Sequence, residues 1–584
     1  MAADSSKDKG SRPRTVGIVG GGISGLYTAL LLRRENVNFH IFEGSETTGG
    51  RVRTHYFSQE KDQYFEAGAM RIPKSEFHTI TFNLIDYLNE NAGSQDKDRK
   101  IDLIPYVLTT TGNQLLVNGN SNTSTTTGSD VAGDTTPSSV NWNVPDEYKN
   151  TPARDLMGTA IGEYRKRLAD SIAEGQFEKV FREIISEVDN ISFRYFLQHP
   201  PANATRKGYP PSVIDFMETV LSQTNQYMLS VPELLMQNLD FGESEWKTID
   251  RGMSRLPEAM AALITQDKIT YGARVNSLEL VDPGTEFPNG GVTVGAVGYN
   301  GQLKMTFDKV VLAIPPAAVK MLISRPSWSP EKDMAIRSIH FEALFKMGMR
   351  FKRRFWEQVK PPSLGGQSTT DLPIRWVVFP SNGIGSDDTG VLLVYAWMTD
   401  ATTWLPLTPI ERRQLAINNL EQLYDGRLGN DTITSLLIET SEAIWSQSTA
   451  TGDAMFLPGQ FLDRFDAARK SEGNIYFAGE HLSFHHTWIS GAADSALNTT
   501  RDLLDDPNLP GLSTQARDGP KGSAPDLPPL KCSFRPANPL NLPLGPQYFN
   551  GNEGEASNAP YHLGNDDLHL VGPAVTHLRL GFPR

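Results

Sequence analysis

A single cysteine, Cys532, is all that the 584 residues carry. That excludes an internal disulfide framework and any metal cluster built on cysteine thiolates. Basic residues are outnumbered, 55 Lys and Arg against 68 Asp and Glu, for a net charge of -13. Nucleic acid, which calls for a basic face, is not an expected partner. The local run Arg350, Lys352, Arg353, Arg354 is expected to be solvated surface. Long apolar stretches are missing too: the longest, residues 17–32, is interrupted by glycines and too short to cross a bilayer. The opening residues, MAADSSKDKGSRPR, lack the apolar core of a secretory signal. A soluble, cytoplasmic protein with no membrane partner is the expectation. What remains, 39% hydrophobic residues in a chain of this length, suffices for three or four packed domains.

The densest signal lies between Thr15 and Arg53. Val16, Ile18 and Val19 form a short apolar strand, Gly20, Gly22 and Gly25 supply G-x-G-x-x-G, and residues 26–34 read as a helix. Each glycine has a steric task. Gly20 permits the tight turn, Gly22 lets backbone approach a pyrophosphate, and Gly25 lets helix and strand close together. The phosphates then meet the free N–H groups at the helix N-terminus. A second strand, residues 39–42, ends in Glu43, placed to accept both hydroxyls of an adenosine ribose and unsuited to a 2'-phosphate.

Organisation further along is interrupted rather than tandem. Residues 112–139, rich in Ser, Thr, Asn and Gly, read as an exposed loop. From about 155 to 236 helical periodicity dominates. Residues 252–263 then read as a helix, 269–280 as a strand and 309–314 as a buried strand. Aromatic and branched runs at 376–379 and 391–398 suggest a further sheet, and residues 475–477 lead into a helix over 491–504. Beyond about 505 the chain is rich in Pro, Gly and Asn and reads as an extension.

Taken in order, these segments resemble the flavin-dependent L-amino acid oxidases of the flavin monoamine oxidase superfamily, with a glutathione-reductase-like FAD fold. The match runs from about Thr15 to Leu504. It is carried by the glycine motif, by Gly49, Gly50, Arg51, Val52, Arg53 and Thr54 as GG-R-x-R-T, by EAGAMRIP, by FEALFKMGMRFKRRFW, by GVLLVYAWMTDATTW and by IYFAGEHLSFHHTWISGAADSA. The implied fold is α/β (α+β mixed): a discontinuous Rossmann-like FAD domain over 13–75, 245–325 and 440–505, a mixed-sheet substrate domain over 76–150 and 326–439, a helical insertion over 151–244, and an extension over 506–584. The implied cofactor is FAD, with Gly20, Gly22, Ser24, Gly25, Glu43, Gly50, Arg51, Met70, Arg71, Val275, Trp445, Glu480, Trp488 and Ile489 around it. No cysteine lies between Glu480 and Trp488, so the FAD is expected to be noncovalent.

The same resemblance gives Arg71 and Tyr395 as the pair that grips a substrate carboxylate, a task suited to a planar guanidinium. It gives Lys346 as the lysine holding a water beside flavin N5, and Trp488 as a ring near the isoalloxazine. Two positions depart from the family pattern. Gln237 stands where some members have a histidine base, and it can orient an amine but not take its proton. Thr487 stands where some have glycine, leaving its backbone carbonyl to contact substrate. The neighbouring His485 and His486 are expected at the pocket or flavin edge; no metal is expected, since spaced acidic partners are not evident. The resemblance implies oxidation of L-amino acids to 2-oxo acids, ammonia and hydrogen peroxide by hydride transfer to N5, with molecular oxygen as second substrate and a homo-dimer or homo-tetramer as the assembly. Trp397, Met398 and Trp404 hint at apolar side chains. Amine or polyamine oxidation, and tryptophan-monooxygenase-like chemistry, use the same scaffold.

Overall fold

A computed structural model describes residues 14–506, except 93–98, 126–129, 203, 300, 387 and 448–449. The extension past Asp506, with Cys532, lies outside the described residues. Among the described residues no helix is long and apolar enough to cross a membrane.

The glycine-motif strand, Thr15–Val19, is the middle of a five-stranded parallel sheet in the order Ile269–Thr270, Asn38–Phe42, Thr15–Val19, Lys309–Leu312, Ile475–Phe477. Its strands come from three stretches far apart in sequence. The helix Ile23–Arg34, almost wholly buried, packs on this sheet and against the last described helix, Ile489–Leu504. Near-continuous apolar runs such as Lys309–Leu312, buried at all four positions, are what a parallel sheet covered on both faces demands. The expected strand over 269–280 is two strands, Ile269–Thr270 and Arg274–Val281, because Gly272 turns the chain at φ +62°. The second joins an antiparallel ladder with Gly291–Gly298 and Gly301–Phe307.

A seven-stranded sheet forms the other wall, ordered Leu437–Ile444, Leu344–Phe351, Gly390–Trp397, Trp376–Val378, Gln367–Thr370, Gln114–Val117, Asn120–Thr123. The last two strands correct the expected loop over 112–139. Asn118 and Gly119, at φ +53° and +71°, form the two-residue turn that joins a hairpin with the native twist. Polar composition hid it, because Asn120–Thr123 is an edge strand that faces water. Pleating divides this sheet cleanly. Phe345, Met347, Met349 and Phe351 point into one apolar cluster with Trp356, Val394 and Leu420, while Leu344, Lys346, Tyr395, Trp397 and Trp376 line a cavity on the opposite face. Trp404 therefore belongs to the far side, stacked on Phe345 at 4.2 Å, and neither it nor Met398 reaches the cavity.

The helical stretch is observed as Ala153–Ala173, Phe177–Val188, Phe193–Gln198, Pro211–Val220 and Val231–Asp240. The last helix carries Gln237 and Asp240 toward the sheets. The basic run near 350 is not plain surface. Arg354 is buried against Glu357 at 2.5 Å, Arg350 pairs with Glu439 at 3.0 Å, and Arg353 pairs with Asp431. Neighbouring acids gathered by the fold neutralise the three arginines, while Lys352 is exposed and donates to the Ser435 carbonyl at 2.7 Å.

Candidate active site

One cavity of about 1170 Å³ runs from the glycine motif to the face of the seven-stranded sheet. Of the residues expected to bind the cofactor, grip the substrate or act at flavin N5, all but Gly25 line it: Gly20, Gly22, Ser24, Glu43, Gly50, Arg51, Met70, Arg71, Gln237, Val275, Lys346, Tyr395, Trp445, Glu480, Thr487, Trp488 and Ile489. Gly25 packs instead. A Cβ there would stand 1.9 Å from the Gly20 carbonyl oxygen, so helix and strand close only around a hydrogen atom. At Gly20, φ +105° and the Ala313 carbonyl 2.5 Å from a would-be Cβ both demand glycine. Gly22 differs, for a Cβ would meet nothing within 4 Å. It borders open cavity at the helix start, with room for a phosphate group beside free N–H donors.

The rest of that end fits a dinucleotide as well. Glu43 is fixed by the Gly21 N–H at 2.7 Å and by Ser45, which donates its N–H at 2.8 Å and its hydroxyl at 2.7 Å. Ser24 donates to the Ala492 carbonyl at 2.9 Å, tying the first helix to the last. Arg51 donates to Glu480 at 2.8 Å and to the Gly452 carbonyl at 2.8 Å. Glu480 also accepts the N–H groups of Ala454 and Thr487, and against the raising effect of burial the Arg51 charge holds its pKa below the usual carboxylate range. Thr487 takes φ +76°, the left-handed conformation that suits glycine. Trp445 is pinned by its indole N–H to the Ala67 carbonyl at 2.6 Å.

At the sheet end, Lys346 is 3% exposed and donates to the carbonyls of Gly68 at 2.5 Å and Glu66 at 3.3 Å, with its ammonium 4.7 Å from the Tyr395 ring. Burial pushes its pKa down to about 7, with Glu66 opposing. The Glu66 carboxyl is pushed up to about 7, again by burial, against the Met253 N–H and Thr54 hydroxyl that it accepts. Arg71 is 7% exposed, and among the described residues no carboxylate pairs with it. Its guanidinium lies over the rings of Phe241, Trp246 and Tyr106 at 4.9, 5.6 and 5.8 Å, with Gln367 Oε1 at 3.5 Å. Gln237 accepts from Gln226, which leaves its buried Nε2 without a partner among the described residues.

The expected edge role of His485 and His486 is corrected, since neither lines the cavity. His485 lies behind Trp488 and His486 against Phe456 and Phe461, each beside an acid of the helix Val231–Asp240. His486 Nδ1 is 2.8 Å from Glu233, and His485 Nε2 is 2.9 Å from Asp240. The side chain that does reach the cavity is His78. Its ring meets Trp488 edge-on at 4.9 Å and its Nε2 is 3.5 Å from Asp240. The candidate ligand atoms of His78, Asp240 and His485 lie within 4.8 Å of one another, supplying the acidic partner that the sequence did not reveal. His485 is satisfied by Asp240 and by the Ser490 hydroxyl 2.8 Å from its Nδ1, whereas His78 Nε2 has no hydrogen-bond partner among the described residues. His78, Phe241, Trp376 and Asp453 were not singled out from the sequence; each reaches the cavity through packing between distant segments, and no local motif marks them.

A parallel-sheet nucleotide end joined to a mixed-sheet end that buries a lysine and an arginine with no carboxylate partner among the described residues defines a dinucleotide-dependent oxidoreductase. The chain belongs to the flavin containing amine oxidoreductase family, whose model matches residues 23–504. It is an FAD-dependent enzyme, and the cofactor is held without a covalent tether. A Dictyostelium discoideum protein named as a bifunctional amine oxidase is 31% identical over 536 residues, covering 86% of this chain and 47% of the relative. The chain thus spans about half the length of that relative. L-amino-acid oxidase 4 of Hebeloma cylindrosporum is 27% identical over 547 residues, covering 86% of this chain and 83% of the relative. Putrescine oxidase solved with putrescine superposes with a TM-score of 0.58 at 18% identity, covering 84% of this chain and 99% of the other, a likeness of fold alone.

Proposed function

We propose that the protein is an L-amino-acid oxidase, converting its substrate with oxygen to a 2-oxo acid, ammonia and hydrogen peroxide. The observation that carries the reading is Arg71: a buried guanidinium without a carboxylate partner among the described residues, presented to the cavity on aromatic faces. Burying an unpaired cation is costly, and a substrate carboxylate supplies the missing anion. A bare amine supplies nothing of the kind. The named L-amino-acid oxidase of Hebeloma cylindrosporum, aligned over most of both chains, supports the same choice.

In this reading Gly20, Gly22, Ser24, Glu43, Gly50, Arg51, Val275, Glu480, Trp445 and Ile489 hold the FAD. Once bound, it supplies the acceptor for two electrons from the substrate and passes them on to oxygen. Arg71 and Tyr395 orient the substrate by its carboxylate. Gln237 Nε2 and the Thr487 backbone face the amine side. Lys346, with a pKa near neutrality, exchanges a proton at Nζ. Trp488, backed by His78, excludes water from the reacting centre.

The test is anaerobic mixing of the yellow protein with L-amino acids, D-amino acids and simple amines, followed by oxygen and a peroxide assay. Bleaching by L-amino acids with peroxide on reoxidation is the expected result. Bleaching by amines alone moves the enzyme to the amine oxidases, and reoxidation without peroxide moves it to the monooxygenases.

A further inference from the structure

Glu66 is a buried carboxylate, 8% exposed, that does not line the cavity and joins no ion pair among the described residues. It ends the strand Tyr64–Glu66, where it stands opposite Thr54. Neutral donors hold its two oxygens, the Thr54 hydroxyl at 2.8 Å and the Met253 N–H at 2.9 Å. The Thr54 hydroxyl is itself fixed by the Ser254 N–H at 3.0 Å. A buried acid held this firmly is costly to ionise unless a positive charge lies close by.

That charge is the ammonium of Lys346, 3.3 Å from the carbonyl oxygen of Glu66 itself. Acid and ammonium are therefore separated by little more than the span of one residue. The carbonyls of Gly68 and Glu66 aim the ammonium, so the short segment that carries the acid also positions the lysine. Direct pairing would have tied the lysine N–H groups to the carboxylate. Because Thr54 and Met253 hold the carboxylate instead, it acts on the ammonium through space, and Lys346 stays on the cavity wall. Other groups face the pair. Arg71 works against protonation of Lys346 and Asp453 in favour of it, though less than Glu66, and the Tyr395 ring adds a π face. Around Glu66 stand Tyr56, Tyr64 and Tyr106, phenols that burial keeps uncharged near neutral pH.

Resting on the proton exchange assigned to Lys346, we infer that Glu66 is its positioning residue, a fixed carboxylate that sets how firmly Nζ holds its proton while leaving that atom to the substrate. The sign follows from charge. An ionised Glu66 favours the ammonium, so removing it lets the lysine lose its proton at lower pH. Burial brings both groups to a pKa of about 7, where a change in either charge alters the other. Away from the cavity, the acid acts on the reaction only through the lysine.

In the FAD-loaded full-length enzyme, kcat/KM for flavin reduction should show a limb at about pH 7 that belongs to Lys346 and is absent from Lys346→Met. Glu66→Gln keeps both hydrogen bonds, the Thr54 hydroxyl turning to accept from the new amide, and should move the limb down by about one unit. Glu66→Asp retains the charge and should hold the limb within about half a unit of the wild type. A level loss at every pH in Glu66→Gln, with the limb in place, makes the acid structural and overturns the inference. An equal displacement in Glu66→Asp overturns it too. Apoprotein melts give a second readout without turnover. The stabilising effect of Lys346→Met should begin to shrink at about pH 7 in the wild-type background and about one unit lower beside Glu66→Gln. If the limb survives in Lys346→Met, the proton-exchange reading of the lysine falls. The melts then still decide on Glu66, in its favour if the onset is displaced and against it if the onset stays.

Discussion

Lys346 and Tyr395 are direct cross-strand partners, and the ammonium sits 4.7 Å from the phenol ring with its protons aimed at the carbonyls of Gly68 and Glu66. The lysine is therefore buried against a π face and two dipoles, with no carboxylate in hydrogen-bond contact among the described residues. Its pKa near 7 in the folded chain, against about 10.4 in the unfolded one, follows from that desolvation.

Lys346→Met should accordingly stabilise the protein. Below pH 7 both states hold the proton and the full cost of the buried charge is paid; between about 7 and 10.4 the unfolded chain alone keeps it, so wild-type stability rises with pH. The advantage of the methionine variant in thermal melts should shrink across that window and vanish above it. Flavin turnover should fall by roughly 100-fold or more, the usual weight of a positioned proton-transfer group. An unchanged turnover removes Lys346 from proton handling.

Arg71→Met should leave the fold intact, since no acid loses its partner. Affinity for α-amino acids should drop by about 2 to 5 kcal/mol, as expected for one side of a buried charge pair. Steady-state kinetics should show it as a roughly 30- to 4000-fold loss in kcat/KM. Reduction by simple amines should be no slower than in the wild type. Equal losses for both classes would point to a packing role for the guanidinium on Phe241 and Trp246.

Asp240 accepts from His485 and faces His78 behind Trp488, and its pKa of about 2 marks a carboxylate held ionised against burial by the two imidazoles. Asp240→Asn should cost about 3 kcal/mol, the lower range for breaking a buried pair. Depressed below the unfolded value of about 3.9, the acid contributes stability that is present above that pH and lost as pH falls toward 2. Denaturation measured at several pH values should show the gap between wild type and variant closing below about pH 4. A gap independent of pH would mean that the ionised carboxylate is not what the cluster needs.

How far the sequence disclosed this molecule depended on whether a constraint was local. Gly20, Gly22 and Gly25 were legible because they form one short motif, although only Gly25 meets its steric limit inside it, at the Gly20 carbonyl, while Gly20 is held to glycine by the distant Ala313; Glu43 was legible because its strand follows directly. The hairpin at Asn118-Gly119 was equally local but was masked by the surrounding Ser, Thr and Asn. Arg71, Tyr395 and Lys346 were recognisable only through family resemblance; nothing in their neighbours states that one sheet face gathers them. His78 and Asp453 carried no signal. His78 meets Asp240 and Trp488, and Asp453 meets Glu342 and Glu480, all in other segments of the chain, and such contacts leave no period or motif. Trp404 was misplaced because Met398, at φ +56°, ends the strand Gly390–Trp397 and turns the chain into the helix Met398–Thr402, so the alternation of the strand does not extend to it.

The glycine motif offers a test that separates cofactor space from folding. At Gly25 an added methyl would stand 1.9 Å from the Gly20 carbonyl, a backbone atom that cannot swing aside, so Gly25→Ala should force the first helix off its strand. At Gly22 the same methyl meets nothing within 4 Å in the protein, and that residue begins the helix whose N–H groups face the cavity. Gly22→Ala should therefore melt, as apoprotein, within about 1 kcal/mol of the wild type, in keeping with its uncrowded surroundings. Its FAD affinity should nonetheless fall, by about tenfold or more if the methyl takes the diphosphate's place. Titration of apoprotein with FAD, followed by flavin fluorescence, reads the affinity directly. Unaltered FAD binding in Gly22→Ala would put the diphosphate elsewhere along the cavity, whereas lost binding with an intact apoprotein melt is what a phosphate cradle lined by bare backbone requires.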